Sequence, residues 1–158
     1  DARRNLRSTL PGQCRRVSRV FVDTNVLVYA RDNHEPVKRE KALQILRDPE
    51  LQLVLSTQVL IEFFSVVTRR LAEPLDLVTA QRAVDQLSVN EVIVTDAVVV
   101  SDAIATSISS QISIWDALII TAARVGGCDT LFTEDLQDGA VIAGVRVENP
   151  FRVDAGGH

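Results

Sequence analysis

Four acidic positions could do chemistry together, because each carboxylate interrupts or directly follows an apolar stretch. They are Asp23, Glu62, Asp116 and one carboxylate of segment 133–139. Carboxylates brought close together repel one another, and a hard cation such as Mg²⁺ or Mn²⁺ relieves that repulsion by taking oxygen ligands. Two such ions about 3.5–4 Å apart can activate water on one side of a phosphodiester and stabilise the leaving oxygen on the other. The pattern therefore favours metal-dependent phosphodiester hydrolysis.

Each of the first three acids also has a purely structural interpretation. Asp23 stands where a strand gives way to a helix, a position at which aspartate caps free helix amides. Asp116 follows Ser113 by three residues, which resembles a capping box. Glu62 could lie on a narrow solvent-facing helix edge beside Gln58, or pair with an arginine. These alternatives stay open at the level of sequence.

The fourth acid is ambiguous because segment 133–139 contains three carboxylates. Glu134, Asp135 and Asp138 all follow a predicted strand, and a turn rich in aspartate and glycine needs no function to explain it. We expect at least one of the three to point back over the edge of the sheet.

Short apolar runs alternate with longer segments of helical period, which is typical of βαβ units around a parallel sheet. The predicted strands are 20–22, 53–55, 92–94, 130–132 and 145–147. The predicted helices are 25–30, 36–47, 57–70, 77–88, 96–107 and 113–124. In a parallel sheet, strand ends of one type lie on one edge and the following helices begin there, so the separate acids can converge.

The helical period also predicts which side chains face the core. In helix 36–47, Val37 is expected to face inward and residues 38–41 to face mostly outward. Trp115 could stack on a nucleic-acid base, but a position in the core is preferred. The basic residues that could bind a substrate form two groups, of which the first is Arg31, Lys38, Arg39 and Lys41 and the second is Arg69, Arg70 and Arg82.

Length and composition indicate one globular domain. The 158 residues carry a net charge of −4, which does not suggest a nucleic-acid binder. The charge is uneven, because residues 1–19 carry +5 and the remainder −9. We expect a basic leader at 1–18, a folded domain at 19–151 and a loose tail at 152–158.

Two cysteines do not form a disulfide scaffold, and no apolar stretch approaches the length of a membrane span, so we expect a cytoplasmic protein.

Several motifs in order resemble the PIN-domain nucleases, and in particular the VapC-type toxins of bacterial toxin–antitoxin pairs. They are Val-Asp-Thr-Asn at 22–25, Glu62 in an apolar helix, Trp-Asp-Ala at 115–117, Thr-Glu-Asp-Leu-Gln-Asp-Gly at 133–139 and Val-Glu-Asn-Pro-Phe at 147–151. The resemblance implies an α/β fold of three layers, α/β/α, with a central parallel sheet. It also implies an endoribonuclease that depends on Mg²⁺ or Mn²⁺ and uses water to leave a 5′-phosphate.

The resemblance carries site residues and partners with it. The four acidic site and metal residues would be Asp23, Glu62, Asp116 and Asp135, and Asn25 and Thr133 would orient ligands or waters. Asp23 and Asp116 would hold the principal ion. The implied partners are an RNA substrate, a cognate VapB-like antitoxin and a second copy of the chain in a homodimer.

Two other classes of protein are possible alternatives. Phosphatases of the haloacid-dehalogenase type also place an aspartate after the first strand and use Mg²⁺, but they require a second aspartate where this chain has Asn25. A non-catalytic interaction module could keep the same fold, although retaining four acids in register speaks against it.

Overall fold

A six-stranded sheet forms the centre of the molecule. The computed structural model describes residues 17–153, so residues 1–16 of the expected leader and 154–158 of the tail lie outside the described residues. The strands are β1 (Ser18–Val22), β2 (Leu51–Ser56), β3 (Glu91–Ile93), β4 (Thr130–Phe132), β5 (Val141–Ile142) and β6 (Val145–Glu148). Their order across the sheet is β3-β2-β1-β4-β6-β5. All neighbouring strands are parallel except β5 and β6.

Helices cover both faces of this sheet, which confirms the predicted three-layer α/β/α architecture. They are α1 (Thr24–Tyr29), α2 (Pro36–Arg47), α3 (Thr57–Arg69), α4 (Leu77–Leu87), α5 (Ala97–Ser110) and α6 (Ile114–Val125). Helix α1 packs against α2 and α3, and α3 packs against α4. Helices α5 and α6 pack against each other, and α6 also contacts β2, β4 and β6.

The central strand β1 explains why the sequence adopts this arrangement. Phe21 and Val22 have no exposed surface, and β1 pairs in parallel with β2 on one side and β4 on the other. A parallel strand covered on both faces must be a nearly continuous apolar run, as it is here. Val22 pairs with Phe132, and the next amide, Asp23 N, donates to Phe132 O at 3.0 Å. The ends of β1 and β4 are therefore held side by side.

The predicted elements are confirmed with small shifts of their bounds, and several details differ from expectation. The two-residue strand β5 was not predicted, so the sheet has one antiparallel edge. Val37 is 80% exposed and Trp115 is 65% exposed, so neither lies in the core as expected. Strand β1 begins at Ser18, one residue before the expected bound of the folded domain at 19.

Within residues 17–153, no single helix has both the length and the apolar character to cross a membrane. Helices α5 and α6 would satisfy that test only when taken together, and they are bent by 116° at the break between them.

The turn after α6 depends on a residue without a side chain. A Cβ atom at Gly126 would lie 2.8 Å from Cγ1 of Val54, which is fully buried in β2. The carbonyl of Gly126 also accepts hydrogen bonds from the Arg19 guanidinium, at 2.9 Å from Nε and 2.6 Å from Nη2. Close packing at Gly126 therefore joins α6 to the centre of the sheet.

We expect Gly126→Ala to lower the free energy of unfolding by about 1–3 kcal/mol, because the added methyl group overpacks the contact with Val54. Urea denaturation measures this change. Val54→Ala removes the opposing methyl groups, so the double variant should lose less than the sum of the two single variants. Strictly additive losses would show that the contact does not control the substitution.

Candidate active site

Asp23 is the most deeply buried carboxylate in the described part of the chain. It follows β1, caps α1 and is 7% exposed. Its Oδ1 accepts from Thr24 N at 2.7 Å, and its Oδ2 accepts from Thr133 Oγ1 at 2.8 Å. Burial raises the pKa of Asp23 to about 6, the two hydrogen bonds oppose this change, and the negative charges of Asp135 and Glu62 add to it.

Thr133 connects Asp23 to two further predicted site residues. Asn25 Nδ2 donates to Thr133 Oγ1 at 3.2 Å and to Asp135 Oδ2 at 3.1 Å. The backbone amide of Asp135 also donates to Thr133 Oγ1, at 3.1 Å. The structure therefore brings Asp23, Asn25, Thr133 and Asp135 together at the carboxyl ends of β1 and β4.

Glu62 reaches this group from α3. Its Oε2 accepts from Thr24 Oγ1 at 3.0 Å, and its Oε1 accepts from Gln58 Nε2 at 2.8 Å. Within residues 17–153 it forms no salt bridge with an arginine, so that alternative is not seen. The helix edge it occupies faces a cavity of about 540 Å³, whose wall also includes Asn25 and Asp135. Glu62 is thus held by two hydrogen bonds beside the buried Asp23.

The three carboxylates of segment 133–139 have different surroundings. Asp135 lines the cavity. Glu134 accepts from the Tyr29 hydroxyl and forms a salt bridge with Lys38, with 3.1 Å between Nζ and Oε2. Asp138 accepts from Asn149 N and from Arg152, both at 2.8 Å, and these contacts lower its pKa. Geometry therefore favours Asp135 as the fourth acid.

Asp116 is placed differently from the other three acids. It lies in the first turn of α6, where its amide donates to Ser113 Oγ at 3.1 Å and its Oδ2 accepts from the same hydroxyl at 2.9 Å. Among residues 17–153, no hydrogen bond links Asp116 to Asp23, Glu62 or Asp135, and the cavity wall does not include it. The capping role is therefore present, and the catalytic role of Asp116 stays a prediction.

Sequence reasoning missed two residues that hold the site in place. Thr24 binds Glu62, and Tyr29 binds Glu134 while its ring meets Phe151 edge to face at 4.8 Å between centroids. Lys38 lies 4.5 Å from the centre of the Tyr29 ring. Thr24 stands next to Asp23 in the sequence, but nothing in the sequence relates Tyr29 to segment 133–139.

The side-chain oxygens at this site are ligands of the kind that a hard cation prefers. Asn25 Oδ1 is buried and has no hydrogen-bond partner within the described residues, and Asp23 and Asp135 supply carboxylate oxygens. No three histidine, cysteine or acidic side chains in residues 17–153 are grouped to hold a metal by themselves. Mg²⁺ typically uses only one or two protein carboxylates and keeps several waters, so these residues fit such an ion.

The raised pKa of Asp23 predicts a pH-dependent stability of the metal-free protein. The folded state keeps a proton up to about pH 6 that the unfolded state loses near 3.8, so the contribution of Asp23 to stability should fall as pH rises between these values. The difference corresponds to roughly 3 kcal/mol. Asp23→Asn removes this titration. The free energy of unfolding of the variant, taken relative to that of wild type, should therefore rise by about that amount between pH 4 and pH 7. Denaturant melts in EDTA measure it, and a constant difference across this range would contradict the burial argument.

Comparisons with known proteins identify the family and the fold. The sequence profile of the PIN domain matches residues 20–137. Among curated proteins, no sequence matches significantly.

Three solved structures illustrate the likeness in fold. A toxin–antitoxin complex from Klebsiella pneumoniae is 22% identical with a TM-score of 0.65, over 85% of this chain and 99% of that one. The sarcin-ricin loop cleaving toxin VapC20 of Mycobacterium tuberculosis is 17% identical with a TM-score of 0.60, over 73% and 89%. VapBC-1 from nontypeable Haemophilus influenzae is 18% identical with a TM-score of 0.57, over 85% and 99%. Because the family profile matches most of the chain and the fold agrees with it, this protein belongs to the PIN domain family.

Proposed function

We propose that this protein is a metal-dependent endoribonuclease and the toxin component of a type II toxin–antitoxin system. The observation that carries the proposal is the burial of Asp23 beside the like charges of Glu62 and Asp135, at the edge of the sheet and next to an open cavity. Uncompensated acids in such a position are costly, and strongly perturbed carboxyl groups in a cleft are typical of functional sites.

Asp23 and Asp135, with the free Asn25 carbonyl oxygen, would hold a Mg²⁺ or Mn²⁺ ion, and Glu62 and Asp116 would complete the site. When bound, the ion supplies charge for the scissile phosphate and lowers the pKa of water. The chain's own residues set the geometry. Thr133 fixes the Asp23 carboxylate, the Asn25 amide group fixes Asp135, and Thr24 and Gln58 fix Glu62.

The cavity beside these acids suits a phosphate chain. Arg70, one of the predicted substrate-binding arginines, lies in its wall and supplies positive charge there. Water would attack the phosphorus and leave a 5′-phosphate, in keeping with the resemblance to VapC-type nucleases. The known activity of the structural neighbour that cleaves the sarcin-ricin loop supports RNA as the substrate class.

A protein partner is supported by two findings. Two of the similar solved structures are toxin–antitoxin assemblies. A groove of about 420 Å³ between α3 and α4 is lined mostly by apolar side chains, of which Ile61 and Leu77 are exposed by 71% and 67%. An amphipathic segment of a VapB-like antitoxin would bury this groove. We further propose a homodimer that acts in the cytoplasm.

The alternatives are less well supported. Asn25 donates its amide protons to Thr133 and Asp135 and cannot replace the second aspartate of a haloacid-dehalogenase phosphatase. A non-catalytic module would have no need to bury Asp23 next to two other acids.

The most direct test is to incubate the purified protein with total RNA in Mg²⁺, Mn²⁺ or EDTA and to map the ends by sequencing. We expect cuts with 5′-phosphate ends when either ion is present and none in EDTA. Expression should arrest growth, and co-expression of a small neighbouring gene product should restore it. Cleavage in EDTA would overturn the metal dependence.

We expect Asp23→Asn and Asp116→Asn each to abolish cleavage while the fold is retained, because Asp23 would hold the ion and Asp116 would complete its site. RNA cleavage is measured by gel assay and folding by circular dichroism. Asp96→Asn is a control for the loss of a helix-capping carboxylate outside the site, since Asp96 caps α5 by accepting from the backbone amide of Val99. Full activity of Asp116→Asn in Mg²⁺ would leave that residue with its capping role alone.

A comparison of three variants identifies the fourth acid. Asp135→Asn should reduce kcat by at least about a hundredfold, the scale for losing one preorganised electrostatic group. Asp138→Asn should leave kcat nearly unchanged, because Asp138 binds Asn149 N and Arg152. Glu134→Gln breaks the contact with Lys38 and should have an intermediate effect. Equal activity of the three variants would show that the acid is misassigned.

A further inference from the structure

Three arginines surround a second cavity, which lies outside the acidic site. It measures about 400 Å³ and lies between the end of α1 and the inner side of α2. Arg31, Arg39 and Arg47 contribute to its wall, and Leu43, Leu46 and Leu75 supply apolar surface. None of the described residues that line it is a carboxylate. A cavity with three guanidinium groups and no acid is suited to an anion.

The arginines of this cavity have few partners of their own. Within residues 17–153, none of the three forms a salt bridge, and Arg31 makes only a long hydrogen bond of 3.4 Å to Gln86. Arg39 Nε is buried and has no hydrogen-bond partner among the described residues. A buried donor on a charged group is costly when left unsatisfied. Arg39 Nε therefore lacks an acceptor, and a bound ligand could provide one.

The position of Arg39 also departs from the helical pattern. Residues 38–41 were expected to face mostly outward, yet Arg39 is half-buried while Val37 on the same helix is 80% exposed. On helix α2 the side chain of Arg39 therefore faces the interior, while that of Val37 faces solvent. Arg47 follows two turns later on the same side and reaches the same cavity.

We propose that this cavity binds one backbone phosphate of the RNA, with its ribose against the leucine side chains. The proposal rests on the proposed nuclease function and adds a specific contact to it. Planar guanidinium groups bind phosphate oxygens through paired hydrogen bonds, and Arg39 Nε would gain its missing acceptor. Lys38 is not part of this contact, because it already pairs with Glu134.

The location favours RNA over an acidic peptide. Helix α1 lines the acidic cavity with Asn25 and Tyr29, and the residues that follow it, Ala30 and Arg31, line the arginine cavity. At about 1.5 Å per helical residue, Asn25 and Arg31 are about 9 Å apart along the chain. A single strand that enters the acidic site would therefore present a neighbouring phosphate to the arginines.

Binding of a fluorescein-labelled single-stranded RNA of mixed sequence in EDTA tests this contact separately from cleavage. Arg39→Gln should weaken binding about tenfold, the size expected for a lost charge-assisted hydrogen bond. The dependence of log K on log salt should become shallower by about 0.7, the value for one phosphate on a single strand. The double variant Arg31→Gln/Arg47→Gln is a second test of the same contact. It should keep the fold, because both side chains are exposed.

The triple variant distinguishes one phosphate from several. If the three arginines share one phosphate, the slope of log K against log salt should become shallower by about 0.7 in the triple variant. A change of about 2 would overturn the single-phosphate site. In Mg²⁺ the variants should raise KM and leave kcat unchanged, as expected for uniform substrate binding. Arg124→Gln is the matched control, since Arg124, like Arg47, is an exposed cation in the last turn of a helix.

The remaining outcomes separate this proposal from the proposed function. If wild type neither binds nor cleaves RNA, the nuclease function fails and the phosphate site fails with it. If wild type binds and cleaves while the arginine variants match it in affinity and slope, only the phosphate site is overturned. If the arginine variants bind RNA as wild type does but no longer bind a labelled hexaglutamate peptide that wild type binds, the cavity is a site for an acidic peptide and the proposal is overturned.

Discussion

The site depends on keeping one carboxylate in an apolar environment. Asp23 follows a strand with no exposed surface at its last two residues, and within residues 17–153 two hydrogen-bond donors offset the cost of burying its carboxylate. Loss of water around the group raises its pKa to about 6. Thr24 and Thr133 donate hydrogen bonds to this carboxylate, while Asp135 and Glu62 add negative charge near it. That balance makes the position unfavourable for the empty protein and favourable for a cation.

The hydroxyl group of Thr133 determines how the donors and acceptors are arranged. Asn25 Nδ2 and Asp135 N can only donate, so the proton of Thr133 must be directed at Asp23. Turning the Asn25 amide around would place its oxygen against an Asp135 oxygen, which is repulsive. The amide oxygen is therefore left buried without a donor from the described part of the chain. One network thus fixes two carboxylates and leaves one neutral oxygen available to a hard ion.

Much of this arrangement could be predicted from the sequence, and the rest required contacts between distant segments. Strand ends mark the sheet edge, so the convergence of Asp23 with Asp135 followed from topology. The helical period gives the relative positions of side chains but does not say which side meets the core, which is why Val37 and Trp115 were misplaced. Strand β5 has two residues, too few to produce a period. The contact of Tyr29 with segment 133–139 depends on how α1 packs, which no local pattern encodes.

Net charge proved to be a poor guide to what the protein could bind. The folded region is acidic overall, yet its charges are segregated: acids gather at the carboxyl ends of β1 and β4, and arginines gather beyond the end of α1. At physiological salt, fields between exposed charges decay over about 8 Å, so a ligand responds mainly to the groups nearest to it. The acidic site attracts a cation, and the arginine cavity attracts an anion. Under the proposed function, a phosphate chain together with a divalent ion would satisfy both sites, so an acidic net charge does not exclude a polyanion as the ligand.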